Sequence, residues 1–356
     1  MVRLGEFCAV SVVDELLQRA HAWGATDIHL DPGANRLAVT FRRDGVLEEQ
    51  EPLPGDATAR VVGRLKTLAD LLAYRTDLPQ EGRVPADRTP FGRELRVATF
   101  PTIDGERVAV RLDARDVAPE GLEALGLPGR VLRPLRDALD QPEGVVLLTG
   151  PSGSGKTTTL YACLRHLLAQ HPRRAIVSIE DPVERRIEGV AQCEVHEASG
   201  LDFACALRSV LRQDPDVILV GEIRDRETAA AALEAGLTGH LVLSTIHAGT
   251  APRVFARLLD MGMEPFVLTS AIRGVLAQRL VRLRADEGYE GRAPVAQWAN
   301  VGDALRRGVL DRLDATALEA AAARDGARTL HAAAQALVRA GYTTKEEVQR
   351  VLGRDG

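Results

Sequence analysis

The sequence predicts an α/β fold built on a parallel sheet, with a small α+β domain before it and a helical region after it. Three observations carry this. Beyond Val131, short apolar runs alternate with stretches of helical spacing, the pattern of βα units. One of those runs, Val145 to Leu148, passes straight into a glycine-rich loop and then a helical stretch, GVVLLTGPSGSGKTTTLY over 144–161. Before Asp113, by contrast, apolar and polar residues alternate in pairs of runs joined by Asp-Gly turns, the signature of antiparallel hairpins.

In chain order, Val12, Val13, Leu16, Leu17 and Ala20 predict an amphipathic helix closed by Gly24. Thr26 to Leu30 reads as extended. Leu37, Val39 and Phe41 alternate with polar residues and turn at Asp44-Gly45 into Val46 and Leu47. A second helix is expected with Val61, Val62, Leu65, Leu68 and Leu72 inward, then two more strands, Glu94–Phe100 and Arg107–Leu112, joined around Asp104-Gly105. The Pro- and Gly-bearing stretch from Asp113 to Gly129 reads as a linker. The expected divisions are a first domain over 1–113, a linker over 114–129, a nucleotide-type α/β domain over 130–299 and a helical region over 300–356.

In the second domain four apolar strands are read: Val145–Leu148, Ala175–Ile179, Val217–Val220 and Leu241–Ser244. Each is followed at once by polar residues. In an open parallel sheet ligands lie beyond the carboxyl ends of the strands, so four segments deliver polar groups to one edge. After Pro252 the chain reads as helical, with apolar stripes over Arg253–Met261 and Phe266–Leu280 and an Ala-rich segment from Ala315. Thr344-Lys345-Glu346-Glu347 resembles a capping box opening a last helix.

The loop Gly150-Pro151-Ser152-Gly153-Ser154-Gly155-Lys156-Thr157-Thr158 carries the full phosphate-loop spacing, between a strand and a helix as the motif requires. Glycines let backbone N–H groups turn onto phosphate oxygens, and a helix N-terminus adds partial positive charge. Lys156 can reach the outer phosphates and the Thr157 hydroxyl can ligate magnesium. This is a nucleotide site. Glu222, after the third strand, is a candidate acid for magnesium and the attacking water; an acidic helix N-cap is the plainer alternative. Glu180 and Glu184 flank Asp181-Pro182, and one of them can serve as general base on water, although a surface turn has the same composition. His247 can sense the terminal phosphate, or be structural. Arg208 and Arg212, four apart on one expected helix, line the nucleotide site or a subunit boundary, or merely face solvent.

The 356-residue chain carries a formal net charge of −5, which argues against broad electrostatic attraction to nucleic acid, and aromatic–basic interleaving is missing. Lys66, Lys156 and Lys345 are the only lysines. Cys8, Cys163, Cys193 and Cys205 form no CxxC pair, so neither a zinc ribbon nor a disulfide framework is expected. The start is too charged for a signal peptide, and no apolar run approaches the ~20 residues needed to cross a bilayer. The expectation is a reduced, soluble, cytoplasmic protein.

The succession GPSGSGKTTTLY, IEDPVE, LRSVLRQDPDVILVGEIRD and TGHLVLSTIHA resembles the secretion ATPases of type II secretion and type IV pilus machines, whose names for these segments are Walker A, Asp box, atypical Walker B and His box. The likeness continues through DMGMEPF, GVLAQRLVR and RAGYTTKEEVQRV. It also covers TDIHLDP, RRDGVL, LPQEGRV and RVATFPTIDGERVAVRL of the first domain, so it runs over almost the whole chain. The resemblance implies a homohexameric ring that hydrolyses ATP with Mg2+ to drive pilin-like filaments. Each subunit would join a PAS-like first domain to a RecA-like ATPase domain, recruited to the inner membrane by a platform protein and its associated machinery. It implies that Glu184 and Glu222 are the catalytic carboxylates, that Thr245 and His247 lie in the His box, and that Arg83 and Arg96 complete a site at a subunit boundary.

Departures are visible. The additional N-terminal domain of most assembly members is not seen, nor is their four-cysteine zinc insertion, where RLVRLRADEGYEGRAPV closes the gap. Short members without zinc also occur in competence systems. Arg185 replaces the usual aromatic after the Asp box. The alternative function is a nucleotide-responsive docking or regulatory subunit with negligible turnover; a helicase is disfavoured by charge.

Overall fold

The computed structural model of the chain describes residues 8–112 and 121–354, in two compact units, Met1–Ala118 and Pro119–Gly356. In the first, helix α1 (Ala9–Trp23) buries Val13, Leu16, Leu17 and Ala20 and ends at Gly24 with φ 82°, as its spacing predicts. Strands β1 (Asp27–Pro32), β2 (Arg36–Arg43) and β3 (Val46–Pro54) follow. Asp44 and Gly45 both take positive φ, 51° and 81°, the geometry that matches a tight turn to strand twist. Helix α2 (Thr58–Leu68) is shorter than expected. Leu72, expected inward, lies past its end and is 49% exposed, because the chain turns out of the helix at Asp70, φ 55°.

Strands β4 (Gln80–Val84), β5 (Leu95–Thr102) and β6 (Gly105–Leu112) complete a six-stranded sheet of order β3-β2-β1-β6-β5-β4. Every neighbouring pair in it is antiparallel. One face packs Ile28, Leu30, Val39, Phe41, Val97, Val108 and Val110 against the helices. On the other, register sets Arg83 opposite Arg96, Arg96 opposite Arg111, Arg111 opposite Asp27, and Asp27 opposite Arg42. Asp27 pairs with Arg111 at 3.2 Å and with Arg42 at 3.8 Å. The fully buried Lys66 ammonium meets Glu106 at 2.6 Å and the Arg75 carbonyl at 2.6 Å, so that charge is both paired and hydrogen-bonded, as burial demands.

The expected linker falls partly on 113–120, outside the described residues. Leu122 and Leu127, from its remainder, are buried in the second unit's core, so that part is packed rather than free.

The second unit runs α3 (Gly129–Leu139), β7 (Gly144–Thr149), α4 (Lys156–Gln170), β8 (Ile176–Glu180), β9 (Val190–Glu194), α5 (Phe203–Val210), β10 (Val217–Val220), α6 (Arg226–Leu237) and β11 (Leu241–Ile246). It continues with α7 (Ala251–Asp260), α8 (Pro265–Ala271), β12 (Ile272–Arg284), β13 (Tyr289–Asn300), α9 (Asp303–Leu310), α10 (Ala315–Arg324), α11 (Leu330–Arg339) and α12 (Lys345–Leu352). Its sheet has the order β13-β12-β7-β11-β10-β8-β9. All neighbours are parallel except β12 and β13, which pair antiparallel, so the sheet is mixed rather than wholly parallel. Val145 and Leu147 face one apolar layer while Val146 and Leu148 face the other, which is why these strands read as unbroken apolar runs.

The helix expected over Phe266–Leu280 is corrected: it stops at Ala271, and β12 takes the rest. Two neighbours decide this. Ile272 to Ala277 pair with β7, and the Trp298 indole of β13 lies over Gly274, where a Cβ would meet it at 2.0 Å.

Candidate functional site

β7 ends at Thr149 and α4 begins at Lys156, so the loop between them sits at the carboxyl edge of the sheet and the N-terminus of a 15-residue helix. Gly150 and Gly155 have φ of 154° and 88°, and a Cβ there would meet the Gln278 carbonyl at 2.5 Å and the Gln278 amide nitrogen at 2.8 Å. Only glycine meets both demands. The Ser154 hydroxyl is buried with no partner. Gly153 opens to space and Pro151, Ser152 and Thr158 are exposed. Lys156 Nζ donates to the carbonyls of Gly150 and Pro151 at 2.8 and 2.9 Å, which keeps the ammonium at the loop. Burial lowers its pKa below the ordinary lysine value; the Glu222 carboxylate opposes that, and the Arg279 guanidinium adds to it. A loop of positive-φ glycines, an orphaned hydroxyl, a desolvated ammonium and a helix N-terminus fit a polyphosphate.

The other strand ends bring the acids. Thr157 Oγ1 lies 3.4 Å from Glu184 Oε1. Glu222, past β10, is mostly buried; it bonds Arg224 Nε and sits 3.3 Å from His247 Nε2 beyond β11. Arg224 also reaches Asp181 at 3.5 Å. The Thr245 hydroxyl donates to the Gly221 carbonyl at 2.8 Å, and the Thr149 hydroxyl donates to the Ala248 carbonyl at 2.8 Å. The loops after β7, β10 and β11 are thereby tied together. Thr157 and Glu222 are the oxygen donors that would serve magnesium, which takes few protein ligands beside phosphates and water.

Glu180 does not project from the turn as its spacing suggested. It ends β8 at 4% exposure. Its Oε2 accepts from the Tyr161 hydroxyl, and its Oε1 accepts from Ser178 at 2.6 Å and Gln192 at 3.1 Å. Burial, then the bond to Glu180, pushes the Tyr161 hydroxyl above the usual phenol range, so it stays a proton donor.

Arg208 and Arg212 do not share a helix: α5 ends at Val210, and Arg212 follows it in solvent. Arg208 reaches Glu227 at 3.7 Å, with both side chains exposed. In the first unit, Arg83 pairs with Glu94 at 3.8 Å and stands opposite Arg96. Sequence reasoning missed Gln278 and Arg279, which β12 brings beside the loop. Gln278 accepts from the Thr159 hydroxyl of α4 at 2.9 Å, and Arg279 donates to the Gly249 carbonyl at 2.8 Å. The signal was present as a polar pair inside an apolar run, in a segment read as helix. Among the described residues no group of three or more His, Cys, Asp or Glu side chains could hold a metal by itself, and no helix is long and apolar enough to cross a membrane.

Residues 5–350 match the family model described as type II/IV secretion system protein. The chain is 41% identical to type II secretion system protein E of Xanthomonas campestris pv. campestris, covering 96% of this chain and 67% of that one. It is 36% identical to the type IV pilus assembly ATPase TfpB of Acinetobacter baylyi, covering 96% and 65%. A crystal structure of the pilus retraction motor PilT with bound ADP superposes with a TM-score of 0.67 at 27% identity, over 94% of this chain and 95% of that one. With nearly the whole length matched in sequence and in fold, the chain belongs to the type II/IV secretion system protein family, among its secretion and pilus assembly ATPases.

Proposed function

We propose that the chain is a ring-forming motor that hydrolyses ATP to drive assembly or movement of pilin-like filaments in a type II secretion, type IV pilus or competence system. In this reading a RecA-like domain carries the nucleotide at 150–158 and a PAS-like first domain lends Arg83 and Arg96 to a neighbouring copy in a homohexamer. The ring would work in the cytoplasm, recruited to the inner membrane by a platform protein. What carries the reading is the convergence of two carboxylates on one phosphate loop: Glu184 beside Thr157, and Glu222 near enough to Lys156 for its charge to be felt. A subunit that only sensed nucleotide would need the loop and neither acid.

The roles follow from position. Lys156 and the loop N–H groups hold the phosphates. Glu184 takes the proton of the attacking water, with its carboxylate facing the Thr157 side of the loop. Glu222, held by Arg224 and His247, orients the water from the neighbouring strand end. A magnesium ion at Thr157, reached by Glu222 through water, would supply charge neutralisation on the phosphates.

The experiment compares purified chain with Glu222→Gln. The wild type is expected to hydrolyse ATP, and the variant to bind it within a fewfold of wild-type affinity but turn over about a hundredfold more slowly. A wild type with no turnover in any assembly state would favour the docking or regulatory subunit instead.

A further inference from the structure

We propose that Tyr161 is a positioning residue for hydrolysis: its hydroxyl, pinned to Glu180, fixes the turn 181–187 so that Glu184 faces Thr157. This rests on the reading of Glu184 as the carboxylate that activates water. Tyr161 lies on α4, one turn and a half beyond Lys156, and is 3% exposed. Its hydroxyl has one proton, which goes to Glu180. Its oxygen then accepts from the backbone N–H of Arg185 at 3.3 Å. Arg185 is the residue next to Glu184, so the hydroxyl holds the turn from inside.

Side chains of β9 hold the rest of the turn as well. Gln192 of β9 donates to the Arg185 carbonyl at 2.9 Å and accepts from the Ile187 N–H at 2.7 Å. Glu194 of β9 accepts from the Val183 N–H at 3.0 Å. Backbone groups at 183, 185 and 187 are therefore fixed, and Glu184 stands between the first two. The Glu180–Tyr161 pair ties this turn to α4, the helix that carries Lys156 and Thr157. Loop and acid thus share one buried anchor. A side chain displaced by an ångström from its productive place can cost about a hundredfold in rate.

Tyr161→Phe removes one oxygen and keeps the ring. In the full chain, with ATP hydrolysis followed in steady state and in single turnover, it should lower kcat about tenfold. KM and the affinity for a fluorescent ATP analogue should stay within about twofold, since the loop that binds phosphate is untouched. The decisive arm is the combination with Glu184→Gln: if Tyr161 acts by placing Glu184, the phenylalanine should cost nothing more there. Glu180→Gln, which keeps one acceptor, should lose less and should not add to Tyr161→Phe. Wild-type kcat in Tyr161→Phe overturns the inference. So does a full additional loss in the Glu184→Gln background, or a rise in KM with kcat unchanged. A parallel loss of melting temperature and nucleotide affinity would make the tyrosine structural only, and overturns it too. Near-normal turnover by Glu184→Gln alone overturns the reading of Glu184, a separate result from the behaviour of Tyr161→Phe beside an inactive Glu184→Gln.

Discussion

Glu180 and Glu184 carry the same carboxylate four residues apart, and their surroundings divide the work between them. Glu180 is spent on Tyr161, Ser178 and Gln192, whereas Glu184 looks across at Thr157. Glu184→Gln is therefore expected to bind ATP and stall, with turnover down about a hundredfold or more, and Glu180→Gln to lose less. ATPase assays that ranked them in reverse would make Glu180 the base. Lys156→Ala is expected to fail differently, losing both turnover and much of the nucleotide affinity in an equilibrium binding assay, because an ammonium leaves the phosphates. The phosphate loop was legible because its residues are contiguous and each has a local reason. The roles of the two acids were not. What separates them is Tyr161 and Gln192, 19 and 12 residues from Glu180, and no periodicity near 180–184 announces those partners.

Elements with local causes were read correctly: α1 from its stripe and Gly24, the β2–β3 hairpin from Asp44-Gly45, and α12 from Thr344, whose hydroxyl accepts from the Glu347 N–H at 3.2 Å. Elements made by distant neighbours were not. In β12 the residues Ile272, Val275, Leu276 and Leu280 suit a helical face as well as a strand. The choice is made by β7, far back in the chain, and by Trp298 ahead. β4 was missed for the opposite reason, since QEGRV is polar and sits at a sheet edge. The docking of α12 yields a pH prediction. Burial opposes the charge on Glu347, yet hydrogen bonds from Arg350 and Arg282 hold its carboxyl down at about 2, against an ordinary 4.5. A pKa depressed on folding stabilises above the ordinary value, and the benefit is lost as pH falls from 4.5 toward 2. About 2.5 pKa steps correspond to roughly 3 kcal/mol. Glu347→Gln should melt earlier than wild type near about pH 7, and the gap should shrink by about half by about pH 3 and close toward about pH 2. A gap independent of pH would mean that the contacts matter through shape and not charge.

For the whole molecule, activity is expected to depend on assembly. Phosphoryl transfer spreads negative charge over the terminal oxygens, and an arginine from a neighbouring copy can be worth about 10³–10⁵ in rate. Arg83→Ala should oligomerise and bind ATP but hydrolyse it poorly. Mixed with Lys156→Ala, it should recover activity, since a mixed boundary unites a sound loop with a sound arginine. A mixture that stays inactive while wild-type subunits exchange under the same conditions would place Arg83 outside the reaction, as an exposed partner of Glu94. Cys163 is buried and the four cysteines are unpaired, and elemental analysis is expected to find no stoichiometric zinc, because a structural site needs four converging ligands.

Seen as machinery, β12 is a tie rod. Its middle lies beside the phosphate loop, where Gln278 lies against Gly155 and bonds α4. Four residues on, about 13 Å along the strand, the Arg282 N–H and guanidinium are clamped by Glu347 of α12. The strand is laced to β13 along most of its length and to β7 over its first half, so it resists stretching. One strand therefore holds both Gln278, beside the phosphate loop, and Arg282, the anchor of α12. In the proposed motor, such a stiff member would set where load is carried: past the middle of the rod, on the helix docked at Arg282.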